Sequence, residues 1–517
     1  MRLVLPVLLL LIFASVSFAS LSVRYAVYLD HTDSGYVRVR IDAENSENDT
    51  LYYQMPAWAP GAYAMTNYGR FVDNFKVFDE ENRPLGTERL NENRWRILGK
   101  KKYTRFEYRV RNSFKDSTSL YFALCHIDSE FFFANATALF GYVNDVKDIP
   151  LEVNYLYPYG WEVHTSLDTR DTSLKEFRPP GGGLIFFAGF KAKNYDELVD
   201  APVMAGKEFW RKSFMLGDKK ISICLHSDRK FDMDSLRDLT KKIVESETAF
   251  FRDTPFSRYV FLVNAPTFMS LPSIYQGALE HANSSAYLLV NLPWENFKQF
   301  GPHIISHEFF HLWNVKRIHS SLLGPFDYTR RVKTTSLWLS EGITDYYSYT
   351  LLARSGIISP RTFYSELADL VSKNMRSTGN KSLEALSIAE SDFHIDDVNA
   401  FYYKGTLAGL MLDLEIRTRT KNKKSLDDVT RALNAEAKQG KTFKDKDLFP
   451  KIEKMAGVKM RDFYKKYIAG TEPFPLEGYL RKMGLQYVKR EQYGSDILPD
   501  PAAGTLERAI RKDIAGE

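Results

Sequence analysis

The chain has 517 residues, 44% apolar and 26% charged, with a formal net charge of +5. That is the composition of a soluble globular protein, and the length exceeds one ordinary core, so about three domains are expected. Acids and bases are interspersed without a long basic block, so composition gives no case for nucleic-acid binding.

The first residues read as a targeting segment. Arg2 precedes an apolar run from Leu3 to Phe13, and Ser17-Phe18-Ala19 offers small residues for cleavage after Ala19. Residues 1–19 are therefore expected to be a signal peptide, giving an exported protein, periplasmic or extracellular. The run falls short of the roughly 20 apolar residues of a spanning helix. No later stretch reads as a membrane span, so the mature chain is expected to have no transmembrane segment. Only Cys125 and Cys224 are present. They can pair in an oxidising compartment or stay as buried thiols, and two cysteines make no disulfide framework.

Residues 20–201 read as a β domain. Val23, Tyr25, Val27 and Leu29 alternate with other residues, as do Val37, Val39 and Ile41, then Phe106, Tyr108 and Val110. Pro60-Gly61 and Pro179-Pro180-Gly181-Gly182-Gly183 read as turns between strands. An antiparallel sandwich is expected. After Phe231 the pattern changes. Leu236, Leu239, Ile243 and Phe250 fall at helical spacing, and Tyr259–Val263 reads as a strand. Gly277-Ala278-Leu279-Glu280-His281 and a strand-like run, Ala286–Leu292, follow. A helix after Gly301, a second over Trp338–Leu352, and a nearly all-helical stretch from Ser359 to about Gly484 complete the reading. The domains expected are 202–418, 419–487 (helical) and a tail, 488–517, poorly ordered up to any final helix.

The chemistry is carried by His307-Glu308-Phe309-Phe310-His311. Two histidines four residues apart share one helix face, close enough for both imidazoles to reach one Zn²⁺. Glu308 points to the same cavity and can take a proton from the attacking water. The neighbours Ile304, Ile305, Phe309, Phe310, Leu312 and Trp313 are apolar, and unpaired polar groups on such a helix would be costly. A catalytic zinc needs a third protein ligand and an open position. Glu341 is the best third ligand, and Asp345, four residues on, is placed to accept an N–H from a ligating imidazole. This Glu-x-x-x-Asp after H-E-x-x-H is the thermolysin-like arrangement. A third histidine of the metzincin kind is absent.

Two further motifs favour an exopeptidase. Glu280 precedes the metal helix and can bind a free α-amine, although it also reads as a plain surface carboxylate. Tyr402, in Tyr402-Tyr403-Lys404-Gly405, can stabilise an oxyanion, or be one more core aromatic among 30 tyrosines.

With these residues the sequence resembles the glycyl aminopeptidase family of gluzincin zinc metallopeptidases. The resemblance runs through His307–Ile318, Trp338–Tyr347, Gly277–His281, Tyr402–Gly405 and Pro56-Ala57-Trp58-Ala59-Pro60-Gly61-Ala62-Tyr63. It implies a multidomain α+β fold: an N-terminal antiparallel β-sandwich, a thermolysin-like zinc catalytic domain and a C-terminal helical domain. By motif position it implies His307, His311 and Glu341 as ligands of one Zn²⁺ and Glu308 as general base. Tyr402 would face the transition state and Glu280 would anchor the amine. Two departures stand out. Members typically carry a PDZ domain after the helical region, whereas a chain ending about 30 residues past Tyr487 is expected to lack one, since such a domain needs about three times that length. The usual Gly-Gly pair is Gly277-Ala278 here, which puts a methyl group on the substrate-facing backbone.

The expected activity is removal of N-terminal residues, small ones such as Gly or Ala, from peptides with a free N-terminus. The alternative is a thermolysin-like endopeptidase, which has no use for an amine anchor at Glu280. A protein holding zinc only for structure would need neither Glu308 nor Tyr402.

Overall fold

The computed structural model describes residues 22–44, 50–62, 65–99, 102–114, 116, 123–177, 184–267, 277–377, 380–388, 395–490 and 494–517. The expected leader at 1–19, Tyr63 and the 179–183 turn lie outside the described residues.

The N-terminal part follows its alternating sequence. Tyr36–Glu44 and Tyr103–Arg111 each bury every second residue, as strands do when one face meets a core. They pair antiparallel, Val39 opposite Tyr108, within a seven-stranded sheet. Two four-stranded sheets complete these layers. The pairing is antiparallel except where Ser22–Tyr28 runs parallel to Leu151–Pro158. Val27, Ile41, Tyr53 and Phe106 fill the core. Two of its buried phenols are linked: the Tyr53 and Tyr108 hydroxyls are 2.7 Å apart, and Tyr108 donates to the Leu139 carbonyl at 2.6 Å.

A five-stranded mixed sheet follows, in the order Phe209–Leu216, Lys219–His226, Arg258–Asn264, Ser284–Leu288, Gly277–Glu280. The middle pairs are parallel and the outer pairs antiparallel, so Gly277–Glu280 is an edge strand. Parallel strands need cover on both faces. Helices Met233–Phe251 and Trp294–Phe310 cover one face through Leu236, Ile243, Ile305 and Phe309. Phe131, Phe133 and Met204 of the N-terminal part cover the other, against Leu262, Leu279 and Leu288.

The motif helix starts earlier than the sequence suggests, at Trp294 rather than after Gly301. Gly301-Pro302 reads as a stop. Phe297, packed on Phe231, Trp294 and Phe300, holds the first turns in place.

The helices from Pro360 onward share one continuous core with the five-stranded sheet, running from Ile221 to Ala515. Among the described residues no helix is long and apolar enough to cross a membrane. Ahead of the final helix that the sequence allowed, the tail is more regular than expected. Leu485–Arg490 and Gly494–Pro499 form a hairpin, and Thr505–Ala515 is a helix. Ile510 and Ile514, four residues apart, bury that helix's one apolar stripe. Cys125 and Cys224 are both buried, and neither forms a disulfide.

One loop crosses between the parts. Tyr328, from the stretch joining the two motif segments, is buried in the N-terminal core. Its carbonyl accepts from the Ala57 N–H at 2.7 Å, and Trp58 Nε1 donates to the Asp327 carbonyl at 2.8 Å. The Tyr328 hydroxyl donates to Asp196 at 2.9 Å.

Candidate metal centre and active site

His307 lies in the last turn of the motif helix, and His311 is its C-cap with helical angles. Their Nε2 atoms are 3.0 Å apart. Glu341 Oε2 is 3.3 Å from His307 Nε2 and 3.4 Å from His311 Nε2. The opposite ring nitrogens are committed: His311 Nδ1 donates to the Asn314 carbonyl at 2.7 Å, and His307 Nδ1 faces Asp345 Oδ1 at 3.2 Å. Each neutral ring therefore carries its proton on Nδ1 and turns an Nε2 lone pair inward. Two lone pairs and a carboxylate converge on one point and repel one another unless a cation sits between them. Tetrahedral zinc ligands at about 2.0–2.1 Å stand about 3.3–3.4 Å apart, close to the observed triangle. The donor set, two imidazoles and a carboxylate, suits Zn²⁺.

The segment carrying Glu341 is not a plain α-helix. Trp338–Ile343 forms a wide π-turn that continues into the α-helix Thr344–Arg354, a local geometry frequent at functional sites. It crosses the long helix Ile395–Arg419 backbone to backbone: a Cβ at Gly342 would lie 2.4 Å from Gly405 Cα. Only glycine at both positions permits that approach, which places Tyr402 and Thr406 beside the ligand cluster. Thr406 Oγ1 donates to Asp345 Oδ2 at 2.6 Å. His303 Nε2 stands 2.8 Å from Asp345 Oδ1. Burial alone would raise the Asp345 carboxyl, yet His303 and then His307 hold it well below the usual carboxylate range. Asn314 ties the turn after His311 to the Glu341 segment, donating to the Leu339 carbonyl at 2.7 Å and Thr344 Oγ1 at 3.1 Å.

Glu308 is buried, and its carboxyl is pushed up to about 7. Burial is the main cause; His307 and His311 oppose it, and Glu280 and Glu341 reinforce it. The Tyr402 ring centre is 5.8 Å from that of His307. Burial, then Glu341 and Glu308, raise its hydroxyl well above the usual phenol range, so it stays a proton-bearing donor.

Glu280 is buried, not a surface carboxylate. An oxygen of Glu280, one of Glu308 and a nitrogen of His311 lie within 4.8 Å of one another. Ala278 shares Glu280's face of the edge strand, while Gly277 and Leu279 alternate to the other. Leu279 packs toward the N-terminal part and Ala278 toward the motif helix. A cavity of about 200 Å³ opens beside Glu280 and Glu341, walled by Trp58, Pro60, Gly61 and Phe326.

Of the residues singled out in the sequence, His307, Glu308, His311, Glu341, Asp345, Glu280 and Tyr402 come together at this cleft, and Ala278 shares Glu280's strand face, whereas Gly277 lies on the other face of the edge strand. The reading missed His303, Asn314 and Thr406. His303 had a signal, one turn before His307 on the same face. Asn314 and Thr406 had none beyond lying in or next to quoted motifs.

Comparison with known proteins agrees with the geometry. Residues 24–207 match the Peptidase M61 N-terminal domain, and residues 302–408 match the M61 glycyl aminopeptidase domain. Comparison with curated protein sequences gives no match. Among solved structures, an aminopeptidase N family protein from Idiomarina loihiensis superposes with a TM-score of 0.81 at 24% identity, over 92% of this chain and 81% of that one. An M1 zinc metallopeptidase from Deinococcus radiodurans superposes with a TM-score of 0.55 at 12% identity, over 88% of this chain and 94% of that one. These likenesses establish a shared aminopeptidase-like fold. The two sequence matches together take in more than half of the chain, which belongs to the M61 glycyl aminopeptidase family and is a metallo-aminopeptidase.

Proposed function

We propose that the protein removes single residues, small ones such as Gly or Ala, from the free N-terminus of peptides, with one Zn²⁺ per chain held by His307, His311 and Glu341. The observation that carries this is the short span between Glu280 and the reacting centre. Within one residue the amine nitrogen and carbonyl carbon are about 2.5 Å apart. With a hydrogen bond of about 2.8 Å to the carboxylate, an anchored first residue reaches about 5 Å. Atoms of Glu280, Glu308 and His311 lie within 4.8 Å of one another, so the anchor stands no farther from these groups than that reach. A second residue would add about 3.3–3.6 Å and overshoot.

Zn²⁺, when bound, supplies Lewis-acid polarisation of the attacking water and the scissile carbonyl. Glu308 takes the proton of that water and returns it to the leaving amine. The Tyr402 hydroxyl donates to the oxygen on which negative charge develops. Asp345 holds the His307 ring, with His303 and Thr406 fixing the carboxylate. Glu280 receives the α-ammonium in a charge-assisted hydrogen bond, and the Ala278 methyl lies on the same strand face, which favours small first residues. Export through a leader cleaved after Ala19 belongs to the same reading, and N-terminal sequencing of the mature protein tests it.

The deciding experiment is a panel of aminoacyl substrates, each with a free and an acetylated amine. Free amines and small first residues are expected to be strongly preferred, with the amine preference partly lost in Glu280→Gln. Internal cleavage of acetylated peptides as fast as free ones would replace this function with the endopeptidase alternative.

A further inference from the structure

A set of linked charges lies beside Glu280 and joins it to the N-terminal part. Asp200 caps the short helix Tyr195–Val199. Its Oδ2 accepts the Ala282 N–H at 2.8 Å, and Oδ1 lies 3.1 Å from His281 Nδ1. Asp200 therefore pins the turn that follows the edge strand. Oδ1 also accepts from Lys316 Nζ at 2.9 Å. Lys316 follows the metal motif, and its side chain is 13% exposed. Its ammonium stands 3.8 Å from Glu280 Oε1.

The lysine thus sits between two carboxylates, and its short contact is with Asp200. At 3.8 Å it attracts Glu280 but takes no hydrogen-bond position on it. The other side of Glu280 is kept clear by Gly61, at φ +85°, where a Cβ would stand 2.9 and 3.0 Å from the two carboxylate oxygens. Both features come from the N-terminal β part, and both leave the Glu280 oxygens unobstructed.

We propose that Asp200 is a positioning residue for substrate binding: it holds the Lys316 ammonium back, so that Glu280 stays open to the substrate's α-ammonium. This rests on the amine-anchor reading of Glu280. Released from Asp200, the flexible lysine stem closes on Glu280 and occupies the lone pairs the substrate needs. Loss of an acid that does not touch the substrate then weakens binding of a cation.

Asp200→Asn keeps the shape and an acceptor for Ala282 while removing the charge. On alanyl-4-nitroanilide, KM should rise about tenfold while kcat stays within about twofold. Asp200→Asn combined with Lys316→Met should return KM to within about threefold of the unaltered protein. Lys316→Arg separates blocking from a general loss of negative potential, because it keeps every charge and lengthens the reach toward Glu280. It should raise KM too, and it keeps the test decisive if Asp200→Asn does not fold. An unchanged KM in Lys316→Arg, or a KM equally raised in the single and double Asp200 variants, overturns the proposal. Glu280→Gln run alongside tells the two failures apart. If it leaves KM unchanged, the amine-anchor reading has failed. If it raises KM while Asp200→Asn does not, only the role of Asp200 has failed.

Discussion

A methyl group at position 405 tests how the site is assembled. Built on the backbone, its Cβ stands 2.7 Å from Gly342 Cα and 3.4 Å from Gly342 N. Carbon atoms settle at about 3.5–4.0 Å, so the π-turn and the long helix must part by about 1 Å. Overpacking of this kind costs about 1–3 kcal/mol of stability. The functional loss is larger, because the gap opens between Glu341, next to Gly342, and Tyr402, one turn before Thr406. Misplacement of reacting groups by about 1 Å can cost about a hundredfold in rate. Gly405→Ala should therefore lower kcat/KM on an alanyl substrate by about ten- to a hundredfold. Gly342→Ala, with contacts of 2.4 Å to Gly405 Cα and 2.5 Å to its carbonyl carbon, should do worse. Steady-state kinetics, metal content and thermal melting on the same preparations separate loss of geometry from loss of fold. A Gly405→Ala protein with unaltered kcat/KM and melting temperature would refute the glycine-to-glycine crossing as the device that sets Tyr402 against the metal ligands.

Three further outcomes are expected. Elemental analysis should find about one zinc per chain, lost in the double variant His307→Ala, His311→Ala; zinc retained by that variant would remove the site. Glu308→Gln should keep zinc and lose about 10²–10⁴-fold in kcat, and Tyr402→Phe should lower kcat with little change in KM; an active Glu308→Gln protein ends the general-base role. Burial pushes the Cys224 thiol up to about 12 and the Cys125 thiol well above the usual thiol range. A thiol reagent at pH 8 should therefore label neither cysteine in the native protein and both after unfolding, and fast native labelling would contradict the buried placement.

The parts of the site set by one local period could be read from the chain. His307 and His311 needed only helical spacing, and Glu341 and Asp345 repeated it downstream. Alternation gave Tyr36–Glu44 and Tyr103–Arg111 as strands. What escaped is fixed across long separations. Nothing near Gly61 or Asp200 announces that each meets Glu280 or Lys316, because those contacts depend on how two layers dock. The π-turn at Trp338–Ile343 leaves no periodic trace in six residues. The tail looked loose because its large buried apolar residues, Ile497, Ile510 and Ile514, are few and set among polar ones. His303 was legible and passed over: it repeats the spacing of His307 and His311 one turn earlier, yet it faces Asp345 rather than joining the cluster of His307, His311 and Glu341.

Tyr328 bears on how such a protein can be cut, shuffled or grafted. Its ring, with Phe326 beside it, packs on the N-terminal core although the loop lies in the chain between the His307–His311 and Glu341 segments. Excision between residues 201 and 202 would leave that aromatic without a home and a ring-sized hole in the β layers. An exchange of one half for a relative's succeeds only if the hole and its plug travel together. Exchange of the N-terminal part therefore has to carry the loop segment around Tyr328 with it, and a single cut along the junction of the two layers does not suffice.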